Sequence, residues 1–135
     1  MTILFAEPNS AKCFLAETTL ALVSILVMHM ENPYILVMVT ASSKQEAEKI
    51  AQQLLEEKLI ACVNVVGPVA SHFNWAGKID HVEEYLMLMK SRVDLFEALV
   101  AKVNALHSYE VPEVIALPVL KGSAAYLDWL GSVLK

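Results

Sequence analysis

From residue 34 onward the apolar positions fall into two kinds of run. Tyr34-Ile35-Leu36-Val37-Met38-Val39-Thr40 is continuous, apolar and β-branched, as expected of a strand covered on both faces. Ala41-Ser42-Ser43-Lys44 follows, and Ser42 or Ser43 supplies a helix cap. Within that helix Ala47, Ile50, Ala51, Leu54, Leu55 and Leu59 recur at helical spacing, so one stripe packs on a sheet. Glu46, Glu48, Lys49, Glu56 and Glu57 take the remaining surface. Ile60–Val66 reads as a second strand, which Gly67-Pro68 kinks or bulges because proline cannot donate to a ladder and glycine permits the bend. Val69–Trp75 resumes it, and Ala76-Gly77-Lys78 is a short turn into a second extended segment ending at Lys90. Together these predict a protruding hairpin with a tryptophan at its tip.

Glu84-Tyr85-Leu86-Met87-Leu88-Met89-Lys90 again has the apolar density of a strand covered on both faces. A second amphipathic helix places Leu95, Phe96, Leu99, Val100, Val103 and Leu106 inward, with Asp94 near its start, where a carboxylate favours the helix dipole. Pro112–Pro118 is a strand bounded by prolines. After Lys121-Gly122-Ser123 a last short helix carries Tyr126, Leu127, Trp129 and Leu130. The order is βαββαβ with a long β-hairpin and a C-terminal helix, which is the α+β, ferredoxin-like arrangement. Two helices cover one face of such a sheet and leave the other in water, yet these strands read apolar on both. The second face therefore needs a cover, and at this length the cover is another copy of the chain. Homo-oligomerisation is the expectation.

Residues 1–33 differ from the domain at 34–135. Leu20–Met28 is an apolar run of nine residues broken only by Ser24, too short for the ~20 residues that span a bilayer. No positively charged start precedes it and no small-residue cleavage pattern follows. Three readings stand: a buried or interface helix, a leader that touches a membrane through residues 12–29, or an extension upstream of a start at Met28 or Met30. The buried helix is the favoured one.

Composition narrows the function. Of 135 residues 56% are hydrophobic and 19% charged, which suits one domain with extra apolar surface to place. A net charge of −5 and scattered basic residues argue against nucleic acid. Cys13 and Cys62 form neither a zinc motif nor a disulfide framework, so a reducing, cytoplasmic compartment is expected.

The candidate chemistry lies at predicted element ends. Val39-Thr40-Ala41, Ala61-Cys62-Val63-Asn64, the hairpin series Ser71, Phe73, Trp75, Gly77 and Lys78, then Glu84, Lys90, His107, Tyr109, Pro112 and Glu113 form one set. Gly122, Tyr126, Leu127 and Trp129 complete it. In order and spacing it resembles the CutA family, the divalent-cation tolerance proteins, from Tyr34 to Trp129. The resemblance implies a ferredoxin-like homotrimer related to the PII signalling proteins, with bound divalent metal, chiefly copper, proposed for some members. It also implies an intersubunit pocket formed by Trp75, Lys78, Glu84, Lys90, Tyr109 and Glu113. The sequence departs from the family at Gly67-Pro68, His107-Ser108 and Lys90-Ser91. Of three proposed copper donors only His107 survives, with Val39 and Leu106 at the other two positions.

His107 is therefore the one metal candidate. A lone imidazole makes a weak site for copper, which takes thiolate and imidazole donors together. At the end of a helix His107 also suits a capping role. Cys62 on an apolar strand reads as a core residue, Phe73 and Trp75 as interface anchors, and His72 and His81 as solvated residues that stand next in line for metal. Lys90 needs a carboxylate, which Glu84 or Glu113 could supply. Nothing marks a nucleophile or a phosphate loop, and a non-enzymatic role is expected over one with His107 as base and Glu113 orienting it. The leading function is a metal-responsive trimer with weak divalent-cation binding. The alternative is a trimeric scaffold that binds a partner without metal.

Overall fold

The computed structural model describes residues 18–22 and 32–135. Residues 18–22 are helical, with Leu20 and Leu22 exposed, and most of the apolar run Leu20–Met28 lies outside the described residues. Among the described residues no helix is long and apolar enough to cross a membrane.

In the unit that begins at Pro33 the elements run β1 (Tyr34–Ala41), α1 (Lys44–Glu56), β2 (Cys62–Trp75), β3 (Lys78–Arg92), a 3-10 turn (Val93–Leu95), α2 (Phe96–Leu106), β4 (Val114–Pro118) and α3 (Ala124–Val133). One antiparallel sheet has the order β2-β3-β1-β4, which realises the ferredoxin-like arrangement.

Register fixes the two faces. Ile35, Val37, Val39 and Ala41 are buried on β1, and Ser91, Met89 and Met87 stand opposite Ile35, Val37 and Val39 on β3. These residues meet Ala47, Ile50, Ala51 and Leu54 of α1 and Leu99 and Val103 of α2 in one core. Ser91 is fully buried there, and its hydroxyl donates to the Leu59 carbonyl at 2.7 Å. Leu55 does not join the stripe. It is 41% exposed, because its helical angle turns it past the sheet edge while Leu54 and Leu59 fill the space.

The opposite face carries Leu36 and Met38 of β1, Leu86 and Leu88 of β3, and Ile115 and Leu117 of β4, as strand alternation and register require. Part of it is covered. The Tyr126 hydroxyl lies 3.4 Å from Cys62 Sγ, and Gly131 sits so close to Tyr34 that an added Cβ would stand 2.5 Å from its hydroxyl, so α3 crosses this face at one end. Cys62 is accordingly half-buried against a tyrosine on this face, and not in the helix-covered core where its apolar strand had placed it. The pairing with Cys62, together with burial, raises the Tyr126 pKa above its ordinary value. Ile115 and Leu117, 48% and 49% exposed, have no comparable cover.

The hairpin is two long strands. Trp75 pairs with Lys78, which leaves a two-residue loop with Ala76 and Gly77 at φ 49° and 76°. Two successive positive φ values are the turn whose twist matches a hairpin, and glycine meets them without steric penalty. The register shifts between Val66 and Val69, at the Gly67-Pro68 step. Gly67 is required there by contact: a Cβ would stand 2.6 Å from the Tyr85 ring.

Candidate functional site

At the base of the hairpin the ends of β1 and α2 meet the start of α1, and the local sequence dictates how. Ser43 caps α1, its hydroxyl accepting from the Glu46 amide at 3.1 Å. Glu46, third in the helix, reaches back as in a capping box but goes one residue further. Its carboxylate accepts from the Ser42 amide at 2.8 Å and the Ser42 hydroxyl at 2.7 Å, and then from the Ser108 amide at 2.6 Å, sixty-two positions away. Burial works against the ionised form, yet the amide and hydroxyl bonds from Ser42 and Ser108 outweigh it and lower the Glu46 pKa from 4.5 to about 2.

Glu46 thereby pins the segment that carries His107. The His107 side chain is 0% exposed. Its Nδ1 accepts from the Tyr109 amide at 3.0 Å, so the proton sits on Nε2, which donates to the Thr40 carbonyl at 2.7 Å. Both ring nitrogens are engaged, and an ion at either one would displace a backbone group. His107 does terminate α2, its amide bonding the Val103 carbonyl, but the imidazole turns to β1 and away from its own helix end. Glu113 does not orient it. The carboxylate near Nδ1 is that of Glu46, at 3.9 Å, whereas Glu113 accepts from the Thr40 hydroxyl at 3.4 Å. Leu106 is half-buried and Val39 fully buried in the core, so neither position offers a donor.

Above this junction lies a cleft of ≈ 890 Å³ between the hairpin and residues 108–113. Phe73, Trp75 and Tyr109 give it aromatic walls, Asp80, Glu84, Glu110 and Glu113 give it carboxylates, and no lysine or arginine among the described residues lines it. Glu84 is only 5% exposed and hydrogen-bonds the Tyr109 hydroxyl. Burial, this bond, and the negative charges of Glu84 and Glu46 push the Tyr109 pKa up. The lining suits a cation and repels an anion. Among the described residues no three histidine, cysteine, aspartate or glutamate side chains converge as a metal site.

Four of the sequence candidates, Trp75, Glu84, Tyr109 and Glu113, thus share one cleft. Two lie elsewhere. Lys78 opens β3 opposite Trp75 and is exposed at the tip. Lys90 faces β2, where its ammonium donates to the Asn64 side-chain carbonyl and to Leu88 O, so its partner is neither Glu84 nor Glu113. An amide oxygen suffices because Lys90 is half-exposed. Glu46, assigned only to the surface of α1 by its spacing, is the residue sequence reasoning missed. The Ser-x-x-Glu spacing from Ser43 signals the cap but not the reach to Ser108.

Comparison with known proteins gives a consistent answer. The family model for the CutA1 divalent ion tolerance protein matches residues 35–133. The chloroplastic protein CutA of Arabidopsis thaliana is 46% identical over 98 residues, 73% of this chain and 54% of its own length. The divalent-cation tolerance protein CutA of Thermus thermophilus is 44% identical over 94 residues, 70% of this chain and 91% of its own length. The chain therefore spans about half of the plant relative and most of the bacterial one. The crystal structure of CutA1 from Oryza sativa superposes with a TM-score of 0.75 at 41% identity, covering 77% of this chain and 95% of that one.

Proposed function

The chain belongs to the CutA1 divalent ion tolerance family, and from that premise we propose that it works as a homotrimer in divalent-cation tolerance, in a reducing, cytoplasmic setting. The observation that carries the assembly is the open face of the sheet. Leu36, Met38, Leu86 and Leu88 are incompletely buried and Ile115 and Leu117 about half exposed in a single chain, an apolar band that a second copy removes from water. Trp75, 64% exposed at the end of a two-stranded arm, is placed to anchor in a neighbour. The free, half-buried Cys62 thiol supports the reducing compartment.

On the metal side, the acidic cleft supports weak attraction of a divalent cation without a closed coordination shell. Copper selectivity through His107 finds little support, since the ring is buried and both nitrogens are used. That same observation favours the second reading, a trimeric scaffold whose cleft takes a cationic group of a partner in place of a metal. Sedimentation of the wild-type chain at micromolar concentration tests assembly: a trimer is expected, a stable monomer sinks it, and Leu88→Glu should dissociate it. Thermal shifts with Cu²⁺, Zn²⁺ and Mg²⁺ separate the two readings. A ligand at about 100 times its Kd stabilises by ~2.7 kcal/mol, and no shift with any of the three selects the scaffold.

A further inference from the structure

The two remaining imidazoles of the domain stand together on the hairpin. His72 and His81 are directly opposite each other in the β2–β3 register, and their rings stack with centroids 5.8 Å apart and planes 23° from parallel. By strand alternation they share the hairpin face opposite to Ser71, Phe73, Trp75 and Glu84; His72 also borders the cleft, and His81 does not. Both are exposed, and neither ring hydrogen-bonds to another described residue. We propose that His72 and His81 form a two-imidazole site for a borderline divalent cation of the Cu²⁺, Ni²⁺ or Zn²⁺ class.

The geometry allows it with little movement. A zinc–imidazole bond is about 2.0–2.1 Å, so two rings sharing one ion have centroids at most about 6.5 Å apart, and the observed separation lies inside that reach. Near-parallel rings aim their lone pairs side by side, and rotation about χ2, a broad torsion in histidine, turns one nitrogen of each towards a common point. The ladder already holds the two Cβ atoms as cross-strand neighbours, so most of the entropy of bringing the ligands together is lost on folding. Imidazole selects the transition cations over Mg²⁺ and Ca²⁺, which take oxygen donors, and Cu²⁺ should lead the series. Two protein donors leave the other positions to water, which makes the ion exchangeable and not structural. The pair gives the divalent-cation reading imidazole donors on the hairpin, at the border of the acidic cleft.

Calorimetric titration of the full chain with CuCl₂, NiCl₂, ZnCl₂ and MgCl₂ tests it, alongside H72Q, H81Q and the double variant. We expect one transition cation per chain, no heat from Mg²⁺, and loss of that equivalent in each single variant. Electron paramagnetic resonance of the Cu²⁺ form should show two coupled imidazole nitrogens in the wild type and no such pair in either variant. An equivalent that persists in the double variant overturns this site while leaving the divalent-cation reading standing. Absence of any cation binding to the wild-type chain overturns both. Unchanged circular dichroism of the variants excludes misfolding as the cause of a loss.

Discussion

The junction beneath the cleft and the shaft of the hairpin both present histidines beside carboxylates, and they use them in opposite ways. At the junction His107 is enclosed, both nitrogens bond backbone groups, and Glu46 joins two loops through three hydrogen bonds. On the hairpin the rings of His72 and His81 stack in the open, and neither ring hydrogen-bonds to a described residue. A polar group in the interior is held by the cost of leaving its partner unpaired, so it becomes structure. A polar group on an exposed ladder loses little if it changes partner, so it stays available to a ligand.

The sharpest way to break this contrast is at His107. His107→Ala removes a fully buried ring and leaves Thr40 O and the Tyr109 amide without their partner, so a loss of about 3–4 kcal/mol is expected in urea unfolding at fixed protein concentration. A loss below about 1 kcal/mol would place the ring outside the structural network.

Glu46→Gln should cost slightly less and should change the pH response. A carboxyl lowered from 4.5 to about 2 contributes at most about 3 kcal/mol, at ~1.36 kcal/mol per pKa unit, and solvent screening at this partly exposed site reduces that figure. Because the folded pKa is the depressed one, that stability is complete above the unfolded value and is lost as pH falls from about 4.5 towards 2. Unfolding series between pH 7 and pH 2 should show a steep acid limb in the wild type and a flatter one in Glu46→Gln. Parallel limbs would mean that Glu46 does not carry the junction.

On the hairpin the effects should be smaller and of either sign. Gly77→Ala forces a side chain into φ 76° and should cost about 1 kcal/mol, although no atom crowds the position. Ala76→Asn places a residue tolerant of positive φ beside that glycine and should gain about 0.5 kcal/mol. Thermal midpoints at one concentration would resolve both, and equal signs would contradict the turn geometry. Smallest of all, His72→Gln and His81→Gln should stay within about 0.5 kcal/mol of wild type without metal, in direct contrast to His107→Ala.

The fold was legible because it is written in local patterns. The β-branched run Tyr34–Thr40, the Ser-Ser cap before α1 and the Ala76-Gly77 turn each state an element within a few residues, and their order names the topology. The cleft was half legible. Trp75, Glu84, Tyr109 and Glu113 stood out as polar or aromatic breaks in apolar runs, but Lys90 carried the same signal and turned to Asn64, since a strand sequence does not say which neighbour lies beside it.

By itself, then, the sequence determined the element order, the two apolar faces of the sheet and the family, because periodicity and turn chemistry act over short separations. Tertiary structure alone decided which imidazole is closed and which is open. It set His107 against Thr40, sixty-seven positions away, joined Glu46 to Ser108, and brought His72 opposite His81 through a register fixed by a two-residue turn. Availability for chemistry depends on which partners a side chain meets across the fold, and residue type and spacing do not contain that information.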